Sequence, residues 1–315
     1  MLRFICVAAL ACAVTGHARA GEFAYRYSAE TGVEYASGLR HDHDQTFSTP
    51  PKRRADFRYT YALSAGATYT TDVFEFDLSY TFDQRTYNDY NLFHRRRHDA
   101  IFNVSGDIFW NIGLALRYRY RRSLPEGVLG SIESDQIRVR ATFPEFIYAP
   151  AQVRVRPSAY SLWQSTDFHK LRFLDANSWE SGFETVFTPL SDNWQARLSV
   201  AHGIWDARAV FPSNNYVDVA FELTSGQQTF FNESWVGGVG LELDLGYREE
   251  WYEGLTSDVG GQRRDRVSSV EVTARRPWTN RISSFGRAGF DDHESNWADE
   301  DFDEIQVIVG VRYDF

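Results

Sequence analysis

From residue 305 to 315 apolar side chains fall on every second position: Ile305, Val307, Val309, Val311, Tyr313 and Phe315 share one face, while Gln306, Gly310, Arg312 and Asp314 fill most of the other. A repeat of two is the side-chain period of a β-strand and does not fit the 3.6-residue period of a helix. The same alternation recurs over 57–69 (Phe57, Tyr59, Tyr61, Leu63, Ala65, Ala67, Tyr69), 73–83 (Phe74, Phe76, Leu78, Tyr80, Phe82) and 113–121 (Leu114, Leu116, Tyr118, Tyr120). Weaker alternation marks strands at 22–35, 100–110, 136–143, 152–163, 178–187, 194–204, 216–224, 235–251, 267–275 and 282–290. That makes fourteen strands with one apolar and one polar face each, a meander with no linker and no second domain.

The connections alternate in length. Those at 71–72, 111–112, 146–149, 189–193, 226–234 and 276–280 are mostly short. Those at 40–55, 87–98, 123–135, 164–177, 206–215, 252–266 and 291–303 are longer and polar. The 226–234 stretch, with Phe230-Phe231, is the weakest turn signal, and without its hairpin the count falls to twelve.

Residues 1–20 read as a secretory signal: Arg3, an apolar run over 4–14, and Ala18-Arg19-Ala20 as the cleavage site before Gly21. Lipidation at Cys12 is disfavoured, because Leu10 stands one place away from where that signal needs it. Both cysteines, Cys6 and Cys12, lie in the removable segment, so residues 21–315 would carry no thiol, disulfide or cysteine-held metal. Loss of Arg3 and Arg19, with no acid, takes the net charge from −10 to −12, which argues against a nucleic-acid partner.

Beyond the signal no apolar run approaches the eighteen or so residues of a spanning helix, and the mean hydropathy is −0.43, yet 16% of the residues are aromatic. A barrel that shows lipid only alternate residues, keeps a polar lumen and anchors at two aromatic girdles accounts for all three facts. A strand that ends the polypeptide on a bare aromatic residue, with Tyr313 and Phe315 as the terminal signal, resembles the ending of Gram-negative outer-membrane β-barrels. The resemblance implies a closed antiparallel transmembrane β-barrel of about fourteen strands, up-and-down, with both termini in the periplasm. It also implies an outer-membrane address, lipid and lipopolysaccharide as surroundings, and delivery by periplasmic chaperones and barrel-assembly machinery.

Strand parity then assigns a lumen. On 113–163 the polar face carries Arg117, Arg119 and Arg121, then Arg138 and Arg140, then Arg154 and Arg156, while acids fall on inward positions elsewhere: Glu75, Asp77 and Asp83; Glu180 and Glu184; Asp218 and Glu222; Glu242 and Asp244. Among the cations only Lys52 and Lys170 are lysines. So strong a preference for arginine points to bidentate contacts with carboxylate or phosphate. Two arrangements satisfy it. Arginines and acids can pair across neighbouring strands to fill a rigid interior, or the basic sector can face the acidic ones across a water path and guide anions. Fourteen strands tilted near 40° give a backbone diameter of roughly 28 Å, enough for such a path.

The loops hold weaker candidates. His41-Asp42-His43-Asp44 and the 94–99 segment His-Arg-Arg-Arg-His-Asp lack metal-ligand spacing, and the acids Asp291, Asp292, Glu294, Asp299, Glu300, Asp301, Asp303 and Glu304 lack the glycine punctuation of a calcium loop. No metal or cofactor is expected. A membrane lipase would place Ser and His two residues apart on a strand. His202, the one histidine expected on a strand, has Val200 and Ile204 at that spacing, so no catalytic residue is assigned.

The short motifs Arg264-Asp265-Arg266, Glu294-Ser295-Asn296 and Asp303-Glu304 resemble the endings of barrels that accompany exopolysaccharide export and of the barrel half of surface lipoprotein assembly modifiers. The expected function is a porin-like channel for small or oligomeric anionic solutes. The alternatives are a non-conducting barrel of an export or assembly system and an outer-membrane hydrolase.

Overall fold

The computed structural model describes residues 21–40, 53–88, 94–109, 112–125, 131–170, 172–191, 193–208, 213–225, 238–256, 261–296 and 301–315. The signal segment, the His41–Asp44 cluster and the 226–234 connection lie outside the described residues. The strands are β1 (Glu22–Arg40), β2 (Arg53–Thr70), β3 (Phe74–Tyr87), β4 (Arg95–Phe109), β5 (Ile112–Pro125), β6 (Ile132–Thr142), β7 (Phe146–Tyr148), β8 (Val153–Phe168), β9 (Ala176–Pro189), β10 (Trp194–Ala207), β11 (Asn214–Ser225), β12 (Gly240–Thr256), β13 (Gly261–Pro277), β14 (Ile282–Ser295) and β15 (Phe302–Asp314). Neighbours in sequence pair antiparallel, β6 pairs with β8, and β15 returns to β1, so fourteen long strands form a closed ring. Closure leaves no unpaired edge, which is the condition for strands to cross hydrocarbon. No helix among the described residues is long and apolar enough to cross a membrane.

The short β7 is the sixth strand resumed after a break. Thr142 lies opposite Ser158 and Phe146 opposite Val155, so four steps on one side match three on the other. That extra residue is a bulge, placed where Pro144 has no N–H to give the ladder. The turn expected at 146–149 therefore comes three residues later, through the 3-10 turn Ala149–Ala151 and Gln152, whose φ of 51° is left-handed.

Residues opposite one another on a ladder share a face. One face carries Phe23, Tyr61, Leu78, Leu116, Val139, Phe183, Val200, Val272 and Val309, all exposed, and it is the outside of the ring. At the end where β1 starts and β15 finishes, the base, Phe23 stacks on Tyr69 with ring centroids 4.5 Å apart and Tyr69 on Phe76 at 6.2 Å. Toward the opposite rim, Trp163 stands opposite Trp179. The outer surface thus has the apolar belt and aromatic borders of a membrane barrel.

At the rim the strands run well past the ends that apolar alternation marks. β4 begins at Arg95 and not at 100, β13 at Gly261 and not at 267, and β14 ends at Ser295 and not at 290. Charged rungs carry these extensions: Asp83 opposite Arg97, Asp99 opposite Arg121, Glu249 opposite Arg266 and Arg266 opposite Glu294. Above the belt, backbone pairing with oppositely charged neighbours keeps a ladder intact without apolar side chains. Two segments expected as loops are therefore largely strand. Arg95 to Asp99 belong to β4, while Asp291 and Asp292 on β14 face Glu304 and Asp303 of β15, and Glu294 on β14 faces Arg266 of β13. His202 is also not the only strand histidine, since His98 lies on β4 and His293 on β14.

Candidate functional site

The inward face of β4, β5, β6 and β8 is basic because register aligns arginines from four strands. Asn103, Arg117, Arg138 and Leu162 form one rung, and Ile101, Arg119, Gln136 and Gln164 the next toward the rim. Asp99, Arg121, Ser134 and Thr166 follow. Arg140 faces Tyr160, and Arg154 and Arg156 continue inward on β8 toward the base. Arg95 and Arg97 extend the same wall on β4. The sequence reading left these two in a loop, although their odd-numbered parity continues that of Asn103 and was the available signal.

Two carboxylates serve four arginines of this wall. Asp99 is buried and receives Arg119 through Nε at 2.8 Å, together with a close Nη2 contact, while Arg121 Nε lies 3.4 Å away. Glu184 on β9 is likewise buried; Arg140 pairs with it closely, Arg138 Nη2 lies 3.5 Å away and Arg197 Nε 3.6 Å. Arg117 has no ion pair or hydrogen bond among the described residues, and its Nε is buried. It stands opposite Arg138, a like-charged rung of which, among the described residues, only the Arg138 side has an acid, Glu184, within reach.

Beside the wall, Tyr160 and Tyr216 both donate to Glu180, at 2.9 and 2.8 Å. Arg138 lies 3.9 Å from the Tyr160 ring centroid and Arg248 4.6 Å from that of Tyr216. The tyrosines lie flat because Gly182 and Gly203 sit under them, and a methyl group at Gly203 would overlap the Tyr216 ring. These inward tyrosines were missed in the sequence, where an aromatic residue on such a strand reads as a lipid anchor.

Further round the ring, Glu222, Asp244 and Glu271 form an acidic rung over β11, β12 and β13. Arg197 reaches Glu222 at 2.7 Å and Arg287 reaches Glu271 at 3.2 Å. Asp244 between them makes no ion pair among the described residues. β12 is six strands from β5 in a ring of fourteen, so the acidic rung lies nearly across the lumen from the arginines. Glu242 is on the same inward face, next to Thr224. Asp77 pairs with Arg26 at 2.6 Å, Asp83 lies 3.8 Å from both Arg85 and Arg97, Asp218 pairs with Arg248 at 2.7 Å, and Glu75 faces inward near the base. The inward acids and arginines so placed form a polar interior with a basic side and an acidic side.

No protein-family model matches the sequence, and no curated protein matches it. Solved structures similar to it include an anion-selective porin from Comamonas acidovorans, at 7% identity, with 94% of this chain and 100% of that one covered and a TM-score of 0.49. A bacterial polysaccharide outer membrane secretin is similar at 13% identity, 91% and 98% coverage and a TM-score of 0.45. The outer membrane protein OprD from Pseudomonas aeruginosa is similar at 10% identity, 96% coverage of each chain and a TM-score of 0.43. What the chain shares with them is an architecture, a closed antiparallel barrel with an apolar outer belt.

On this barrel His202 points outward between Val200 and Ile204 and stands opposite Ser181 and Val217. Ser181 Oγ donates to Ser161 Oγ at 3.3 Å, and no hydrogen bond joins His202 to a serine among the described residues. His98 is also outward, with Nδ1 2.7 Å from the Tyr80 hydroxyl. Among the described residues no three His, Cys, Asp or Glu are grouped to hold a metal ion.

Proposed function

We propose that the protein is a passive outer-membrane channel of a Gram-negative envelope, through which small or oligomeric anionic solutes pass along the arginine wall of β4, β5, β6 and β8. The observation that carries this reading is the rung Arg117 opposite Arg138, with no counter-carboxylate on Arg117 among the described residues. A barrel built only to fill its lumen with ion pairs gains nothing from a guanidinium that no acid meets, whereas a passing carboxylate or phosphate supplies its partner. The acidic rung nearly across the ring adds a transverse field that holds an anion against the basic side. In this reading the signal is removed after Ala20, residues 21–315 form the barrel, both termini face the periplasm, and Tyr313 and Phe315 serve barrel assembly.

The test is conductance in planar bilayers. Purified, folded protein is expected to conduct with anion preference, and joint replacement of Arg117, Arg119, Arg138 and Arg140 by Gln to abolish or reverse that preference. A folded barrel that stays silent overturns the proposal. Silence would favour the second reading, a non-conducting partner of an export or assembly system, which draws support from the five arginines gathered on Asp99 and Glu184.

A further inference from the structure

Glu184 holds more guanidiniums than a single ion pair needs. Its carboxylate receives Arg140 and lies within 4 Å of Arg138, both on β6, and of Arg197 on β10, although β6 and β10 are not neighbours. The glutamate itself is held in place. Ser158 Oγ donates to the Glu184 carbonyl oxygen at 3.2 Å and accepts from Arg140 Nε at 3.2 Å. The carboxylate is 7% exposed, whereas the side chains of Arg138, Arg140 and Arg197 are 28%, 31% and 42% exposed. The acid is therefore shielded while the three cations it gathers still reach lumen water.

The arrangement also has a direction. Arg138 leans toward β9, over the Tyr160 ring and toward Glu184. Arginine forks that engage a fixed carboxylate are the same forks an anionic solute would use, so the internal acid and the passenger compete for them. Among the described residues Asp99 pairs with the two β5 arginines only, and Glu222 with Arg197 only.

We infer that Glu184 is the residue that sets the strength of anion selection, acting as a built-in counter-carboxylate that occupies Arg138, Arg140 and Arg197 until a passing anion displaces it. The inference rests on the channel reading above and adds a specificity-determining residue to it. Removing the charge releases Arg138 and Arg140 into the water path at once, while Arg197 keeps Glu222 at 2.7 Å, and the remaining wall attracts anions more strongly.

The experiment measures reversal potentials in planar bilayers under a potassium chloride gradient for the wild-type protein, Glu184→Gln, Glu184→Asp and Glu242→Gln. Glu242 is an inward acid with no arginine in contact among the described residues, so it controls for the loss of one negative charge. Glu184→Gln is expected to raise the chloride-over-potassium permeability ratio at least about twofold, the effect of one unit charge about 8 Å away in water. Glu242→Gln should change the ratio less, and Glu184→Asp should stay near wild type. If wild type prefers anions but Glu184→Gln leaves the ratio unchanged, or moves it no further than Glu242→Gln does, Glu184 is not the selectivity residue while the channel reading stands. If Glu184→Gln does not assemble, a Glu184→Asp ratio well away from wild type in either direction would overturn the inference, and an unchanged ratio would support it. Wild type without conductance or without anion preference overturns both together.

Discussion

Arg117 stands directly opposite Arg138 on the ladder between β5 and β6, with both side chains inside the ring. Facing like charges cost a ladder stability, by a few tenths to about 1 kcal/mol. Replacing Arg117 by Gln is therefore expected to raise the unfolding free energy by up to about 1 kcal/mol while weakening anion preference. Urea unfolding in lipid vesicles and bilayer reversal potentials, run on the same preparation, check the two halves. A variant that is less stable and equally selective would contradict the account.

Asp99 anchors Arg119 and Arg121 from a buried position. Asp99→Asn leaves both guanidiniums without their charged partner, and a loss of about 2 kcal/mol is expected from the charge-assisted hydrogen bonds. The partners remain in reach of lumen water, so the loss should fall short of that for a fully sealed pair. The midpoint of chemical unfolding measures it.

Gly203 leaves room for the Tyr216 ring, which in turn donates to Glu180. Gly203→Ala should cost about 1–3 kcal/mol by overpacking. In a Tyr216→Ala background the same change should be close to neutral, because the colliding ring is gone. A double-mutant cycle on unfolding free energies reads this coupling directly.

Anion preference should fall as salt rises. The Debye length shrinks from about 10 Å at 0.1 M to about 3 Å at 1 M, so the field of the arginine wall stops reaching the middle of the lumen. Reversal potentials at a fixed concentration ratio and increasing mean salt report the decline. A preference independent of salt would mean that sieving or direct binding, and not the field, does the selecting.

The parts of this fold that face lipid were legible in the sequence, since apolar side chains must recur every second residue where hydrocarbon lies on one side. Strand starts and ends near the base accordingly match the alternation: β10 begins at Trp194 and β14 at Ile282. Above the belt the same ladder is held by charge, and the alternation of Arg95, Arg97 and Asp99 with Arg96 and His98 gives no apolar contrast to read. Inward apolar residues blur the rule further. Phe285 and Ile308 are both buried on the lumen side, where Phe285 packs over Gly310. Within the candidate site, the inward parity of the seven arginines follows from neighbouring leucines, valines and isoleucines. Which acid each arginine meets does not, because Glu184 draws on β6 and β10 at once, and that depends on side-chain length and lumen curvature.

The amide of Phe315 donates to the carbonyl of Tyr27 at 3.1 Å, at the end of a seam in which β15 runs along β1 from Asp314 opposite Ser28 to Gln306 opposite Ala36. The first strand thus waits for a partner made almost a whole chain later. Until then it has only β2 beside it, and the ring exists in no partial form until β15 is in place. Loop-closure entropy for so distant a pairing is met in one late step, and every earlier intermediate is an open sheet with two bare edges, able to pair with the wrong chain. The order of events is written into the topology: the ring closes last, where its first and final strands meet.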